Sequence, residues 1–139
     1  MDEPTFLVVD DDQAKLAGAV EVVKEIFPGA DIKERLIGFM EPWTRQTLAE
    51  YVRTEDRDVV IMDNSLGMVL GGSIGGPLRK MLGPDHSMEL VIYSGDLSAW
   101  KGSPFAGALG RLGWHYGATR KDELRETLVQ LRQDKFSGK

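Results

Sequence analysis

The 139-residue sequence contains no cysteine, which excludes a disulfide framework, a thiol nucleophile and a thiolate metal cage. It also lacks a long hydrophobic run. Its longest apolar stretches, such as Phe6 to Val9 and Val59 to Met62, are far shorter than the roughly 20 residues that a membrane-spanning helix needs. The acidic residues Asp2 and Glu3 do not fit the start of a signal peptide. We therefore expect a cytoplasmic protein with no membrane segment.

Basic residues are outnumbered, with 17 Lys and Arg against 22 Asp and Glu, and no basic run occurs. The net charge of -5 argues against a broad nucleic-acid-binding surface. A chain of this length with 42% hydrophobic residues can bury about two-thirds of the surface that its unfolded form exposes. We expect one domain over residues 1–139, with a core over about 5–133, a short tail at 134–139 and no separate output domain.

Five segments are predicted to be strands. Three are continuous apolar runs, typical of strands buried on both faces, and two are less regular. The runs are Phe6–Val9, Val59–Met62 and Leu90–Tyr93; the others are Ile32–Ile37, with the pattern of an edge strand, and Trp114–Ala118.

Apolar residues at helical spacing follow each of these strands. The predicted helices are Leu16–Phe27, Trp43–Val52, Leu78–Leu82, Phe105–Leu112 and a last one through Leu124, Leu128 and Leu131 with Thr119 as its cap. Five glycines in the ten residues from Gly67 to Gly76 predict a flexible loop before the third helix. Alternating strands and helices predict an α/β, doubly wound fold, with a five-stranded parallel sheet and five helices.

Polar residues follow the predicted strands at their carboxyl ends, where such sheets bind ligands. They are Asp10, Asp11 and Asp12 after the first strand, Asp63 after the third, Ser94 after the fourth, and Arg120 with Lys121 near the end of the fifth. Carboxylates brought this close need compensation, so the pattern predicts a hard divalent cation such as Mg²⁺. A metal with carboxylates, a hydroxyl and a cation suits phosphoryl transfer to a carboxylate.

Some of these residues also have simpler interpretations. Asp12 precedes the first helix, and we favour an N-cap over a metal ligand. His86 and His115 lack a partner at ligand spacing and are interpreted as structural or solvent-facing. Trp114 and Tyr116 share one face of a strand, so core packing explains them as well as a switching role does.

Three motifs together resemble the receiver domains of two-component response regulators. They are FLVVDD at Phe6–Asp11, VVIMDNSLG at Val59–Gly67 and VIYSG at Val91–Gly95. The resemblance spans most of the chain and implies the CheY-like, flavodoxin-like strand order 2-1-3-4-5. It further implies that Asp63 is the phosphoacceptor, that Asp11 binds Mg²⁺ directly and that Asp10 holds a metal-bound water. The backbone carbonyl of Ser65 would complete the metal ligands, and the hydroxyl of Ser94 would bind the phosphoryl group.

The sequence departs from the family pattern at two places. The family has a phosphate-pairing lysine at the end of its fifth strand, and here either Arg120 or Lys121 stands at that position, depending on the alignment. The second departure is Gly67, where the family commonly has proline. By the same resemblance Tyr116 would be the aromatic switch residue, which packs inward when Ser94 moves.

The resemblance implies a phosphorelay protein, phosphorylated on Asp63 by a histidine kinase or a phosphotransfer protein. It would not be an enzyme beyond self-catalysed phosphoryl transfer and autodephosphorylation. We expect a monomer or weak homodimer that signals through a protein-binding surface around the fourth helix, fifth strand and fifth helix. Two alternatives stay open: a small phosphatase of the haloacid dehalogenase class with Asp10 as nucleophile, and a receiver-like interaction module that is not phosphorylated.

Overall fold

The computed structural model describes residues 3–38, 40–63, 65–66, 69–83, 87–93, 115–118 and 121–136. Strands and helices alternate along the chain. In order they are β1 (Thr5–Asp10), α1 (Gln13–Ile26), β2 (Asp31–Leu36), α2 (Arg45–Glu55), β3 (Val59–Asp63), β4 (Ser65–Leu66), β5 (Val69–Leu70), a 3₁₀ helix (Gly71–Ile74), α3 (Gly75–Leu82), β6 (Glu89–Tyr93), β7 (His115–Ala118) and α4 (Lys121–Lys135).

The main sheet has five parallel strands in the order β2-β1-β3-β6-β7. Numbered by their sequence order within this sheet, the strands run 2-1-3-4-5, so the predicted topology is confirmed. β2 lies at an edge and β1 and β3 lie in the middle. This explains why every residue of β3 is buried, whereas β2 is partly exposed throughout.

The core lies on both faces of the sheet because neighbouring residues of each strand point to opposite sides. On one face, Leu7 and Val9 of β1 pack in a cluster with buried residues of α2 and α3. On the other face, Phe6 and Val8 pack with buried residues of α1 and α4. Helices thus cover both faces, which confirms the doubly wound arrangement.

The boundaries of α2 differ from the predicted Trp43–Val52. The helix begins at Arg45 because the Thr44 side chain accepts the backbone N–H of Thr47, and Thr47 accepts that of Thr44 in return. It ends at Glu55, before Asp56 adopts a left-handed conformation with φ 51°.

The prediction of a loop over Gly67–Gly76 is wrong for all of its described residues, 69–76. β4 and β5 form a short antiparallel pair, Gly71–Ile74 form a 3₁₀ helix, and α3 begins at Gly75 rather than at Leu78. Ile74 and Leu78 are both fully buried in the core. Their burial offsets the low helix propensity of the glycines, a tertiary effect that local composition does not contain.

The structure describes four α-helices. The predicted helix at Phe105–Leu112 and the predicted cap Thr119 lie outside the described residues. Among the helices that the structure describes, none has the length and hydropathy to cross a membrane.

Candidate functional site

The two central strands deliver two carboxylates to the same edge of the sheet. Val9 of β1 pairs with Met62 of β3, so Asp10 and Asp63 are the next residues on adjacent parallel strands. Asp10 is 0% exposed and Asp63 is 1% exposed. Charged side chains are rarely buried to this extent unless they are paired, so both positions indicate a site and not ordinary surface.

Asp11 completes a cluster of three carboxylates with Asp10 and Asp63. One ligand oxygen from each lies within 4.8 Å of the other two, and Asp11 is partly exposed. The backbone N–H of Asp12 donates to Oδ1 of Asp10 at 2.9 Å, which fixes that carboxylate. Three negative charges at this separation repel one another strongly in a partly buried place, so the cluster favours a bound cation.

A cation from the protein itself contacts the cluster, and sequence reasoning missed it. Nζ of Lys15, on α1, donates to Oδ2 of Asp63 at 2.9 Å. Partial burial alone would lower the pKa of this ammonium, but the hydrogen bond to Asp63 and the charges of Asp63, Asp10 and Asp11 raise the pKa above its ordinary value near 10.5. Lys15 is therefore held in its charged form.

The beginning of α1 explains how Lys15 reaches the site. Asp12 caps the helix: its Oδ1 accepts the backbone N–H of Ala14 at 2.9 Å and of Lys15 at 3.2 Å. The predicted capping role of Asp12 is confirmed, and its carboxylate is not one of the three in the cluster. The sequence signal for Lys15 was its place in the first turn of a helix, where a cation is unfavourable unless carboxylates lie nearby.

The structure describes some of the other predicted site residues and not others. Ser65 begins β4, two residues after Asp63. Tyr116 lies on β7 opposite Ile92, and Lys121 is the first residue of α4, but their side chains are not among those described. Ser94 and Arg120 lie outside the described residues. The described site therefore consists of three carboxylates and one ammonium.

The donor set fits a hard divalent cation. Mg²⁺ prefers carboxylate, carbonyl and water oxygens, and it is usually held by one or two carboxylates with its other positions filled by waters or substrate. The cluster supplies carboxylate oxygens from Asp10, Asp11 and Asp63. These residues can hold a metal at the carboxyl ends of the central strands, where doubly wound sheets bind ligands.

Comparison with solved structures shows that the fold is that of response-regulator receiver domains. The signal receiver domain of a DNA-binding response regulator (merR) from Colwellia psychrerythraea 34H is 20% identical, with 94% of this chain and 98% of that chain covered and a TM-score of 0.66. The isolated receiver domain of RcsB from Salmonella enterica serovar Typhimurium, solved with the phosphomimetic BeF₃⁻, is 15% identical, with 96% and 91% covered and a TM-score of 0.66.

The chemotaxis response regulator CheY4 of Vibrio cholerae has the same fold. It is 16% identical, 93% of this chain and 98% of that chain are covered, and the TM-score is 0.62. No protein-family model and no curated protein matches the sequence. At these identities the comparisons establish a receiver fold over nearly the whole chain, while function depends on the residues of the site.

Proposed function

We propose that this chain is a receiver domain of a two-component phosphorelay, phosphorylated on Asp63. The observation that carries the proposal is the position of Asp63, a buried carboxylate at the end of a central strand. It lies beside Asp10 and Asp11 and is contacted by the ammonium of Lys15. A fixed carboxylate among charged groups of both signs is suited to accept a phosphoryl group, because such transfer needs positioning and charge neutralisation more than covalent chemistry.

The proposed metal is Mg²⁺, held by Asp10, Asp11 and Asp63 with the backbone carbonyl of Ser65. When bound, it would neutralise negative charge on the phosphoryl group and on the carboxylates. The protein's own contribution is to fix these groups beforehand. The backbone N–H of Asp12 holds Asp10 in place, and burial at the end of β3 fixes the position of Asp63. The hydroxyl of Ser94 and either Arg120 or Lys121 are proposed to bind the phosphoryl oxygens.

The phosphoryl group would come from the phosphohistidine of a histidine kinase or phosphotransfer protein. An oxygen of Asp63 forms a bond to phosphorus as the bond from phosphorus to the histidine nitrogen breaks, and that nitrogen leaves with the electron pair. No other co-reactant is required. We propose that the protein acts in a cytoplasmic signalling pathway, where its phosphorylation would alter a protein-binding surface through Ser94 and Tyr116.

The structure gives less support to a phosphatase of the haloacid dehalogenase class. That alternative needs Asp10 as nucleophile and Asp12 as a second functional carboxylate. Here Asp12 is exposed and its side chain caps α1, while Asp10 belongs to the carboxylate cluster with Asp11 and Asp63. While the Asp12 carboxylate caps the helix, it does not point at a reacting group beside Asp10.

The experiment is to incubate the protein with Mg²⁺ and acetyl phosphate and to follow its intact mass, with EDTA and the variants Asp63→Asn and Asp10→Asn alongside. A Mg²⁺-dependent phosphoryl adduct that is lost in Asp63→Asn supports the receiver. Donor hydrolysis that survives Asp63→Asn but not Asp10→Asn would support the phosphatase. Absence of both reactions would leave a receiver fold used only for protein binding.

A further inference from the structure

We propose that Lys15 is a displaceable counter-ion of Asp63 that competes with the divalent cation for the acidic cluster. The inference rests on the metal site in the proposed function, and it assigns to α1 a role that the sequence motifs do not contain. Its basis is the 2.9 Å contact between Nζ of Lys15 and Oδ2 of Asp63.

Position 15 would be unfavourable for a lysine that contacted no carboxylate. It is the third residue of α1, and the partial positive charge of a helix N-terminus repels cations in the first turn. The first turn of α1 contains no acidic residue, and the carboxylate of the N-cap Asp12 accepts the backbone N–H groups of Ala14 and Lys15. The Lys15 ammonium itself contacts Asp63, which lies beside Asp10 and Asp11, so Lys15 is stabilised at its position by the groups that would bind the metal.

The two partners differ in their access to solvent. The side chain of Lys15 is 41% exposed, whereas that of Asp63 is 2% exposed. An ammonium on a flexible four-carbon chain can move into water at little cost, because it is a strongly hydrated point charge. The carboxylate stays in place. When the ion pair opens, we therefore expect the Lys15 side chain to move and the Asp63 carboxylate to stay in place.

A divalent cation at the cluster and the ammonium on Asp63 compete, because two cations would share one carboxylate. The hydrogen bond from Nζ occupies a lone pair of Oδ2, and the positive charge of Lys15 repels a second cation a few ångströms away. While the ion pair is closed, Asp63 also has one oxygen less available as a nucleophile. Binding of the metal would release Lys15, which couples metal binding to the freeing of the phosphoacceptor.

The test is calorimetric titration of MgCl₂ into the wild type, Lys15→Gln, Lys15→Arg and Lys24→Gln, with circular dichroism to confirm folding. Lys24 is exposed on the same helix and is about 13 Å from Lys15 along its axis, so Lys24→Gln removes the same charge outside the site. We expect Lys15→Gln to bind Mg²⁺ about three- to tenfold more tightly than the wild type. We expect Lys15→Arg and Lys24→Gln to stay within about twofold of it.

The outcomes separate this inference from the proposed function. Equal Mg²⁺ affinity in Lys15→Gln and the wild type would overturn the counter-ion role and would leave the receiver proposal standing. Weaker binding in Lys15→Gln would overturn it as well, since Lys15 would then support the site and not compete with the metal. If the wild type and Lys15→Gln both fail to bind Mg²⁺, the metal site itself and the inference built on it are overturned together.

Discussion

The backbone N–H of Asp12 donates to Oδ1 of Asp10 at 2.9 Å, while the side chain of Asp12 accepts two N–H groups of α1. This relationship divides the acidic run after β1 into different roles. Asp10 is buried and belongs to the carboxylate cluster, and Asp12 is exposed and begins the helix. Neighbouring aspartates are therefore expected to respond differently to the same substitution.

Replacing Asp12 with alanine removes the cap of α1. We expect the free energy of unfolding to fall by about 1 kcal/mol, the usual value for a lost N-cap. Urea unfolding followed by circular dichroism measures it, and Asp12→Ser, which keeps a capping oxygen, is the matched control. Since Asp12 is outside the cluster, Mg²⁺ affinity should change by less than about twofold. A loss of Mg²⁺ binding in Asp12→Ala with intact folding would contradict this division of roles.

Replacing Asp10 with asparagine should separate metal binding from folding. In EDTA the variant should be at least as stable as the wild type, because one of three crowded negative charges is removed. Mg²⁺ at ten times its dissociation constant should stabilise the wild type by about 1.4 kcal/mol and Asp10→Asn by much less. Thermal unfolding with and without Mg²⁺ measures both effects, and Glu50→Gln, an exposed change on α2, is the control.

Glu3 and Arg132 join the beginning of the chain to α4, and Arg132 also stacks on Phe27. The hydrogen bond and charge of Arg132 hold the pKa of Glu3 below its ordinary value near 4.5. In the window below 4.5 the unfolded state binds more protons, so stability rises with pH there. The stabilisation is complete above pH 4.5 and is lost as the pH falls through the folded pKa.

Glu3→Gln should therefore be less stable than the wild type at pH 7, and the difference should shrink as the pH falls below 4.5. Chemical unfolding at a series of pH values from 7 to about 3 checks it. A difference that stays constant over this range would show that the ion pair does not contribute.

Helix α4 offers a test of packing with neighbouring residues. Leu128 is fully buried against the sheet, and Val129 is 40% exposed. Leu128→Ala should lower the free energy of unfolding by about 2–5 kcal/mol, through lost burial and the cavity left behind. Val129→Ala should change it by no more than about 0.5 kcal/mol. Similar values for the two variants would contradict the placement of this helix.

The main sheet could be predicted from the sequence because its strands are continuous apolar runs, each followed by polar residues. The continuous apolar run Val59–Met62 before Asp63 predicts a buried strand, and the sparse apolar residues of β2 predict its position at the edge of the sheet. The pairing of Asp10 and Asp63 at one edge followed from the parallel topology. The strands themselves depend on periodicity, which is local, whereas their order was implied by the resemblance to receiver domains.

The features that were missed depend on contacts between distant residues. Gly71–Ile74 and Gly75 are helical because Ile74 and Leu78 are buried in the core, which overrides the propensity of glycine. Lys15 contacts Asp63, 48 positions away, and only the tertiary fold brings the beginning of α1 and the end of β3 together. The start of α2 required the reciprocal bonds of Thr44 and Thr47, a motif in which threonine takes the place of the usual glutamate.

Asp63 is the proposed acceptor of the phosphoryl group. The most direct measurement is to treat the protein with acetyl phosphate and Mg²⁺, reduce it with sodium borohydride and sequence its peptides by mass spectrometry. Borohydride converts an aspartyl phosphate into homoserine and so marks the acceptor. If Asp63 is the acceptor, we expect Mg²⁺-dependent homoserine at position 63 in the wild type. Homoserine at position 10, or at no aspartate, would contradict it.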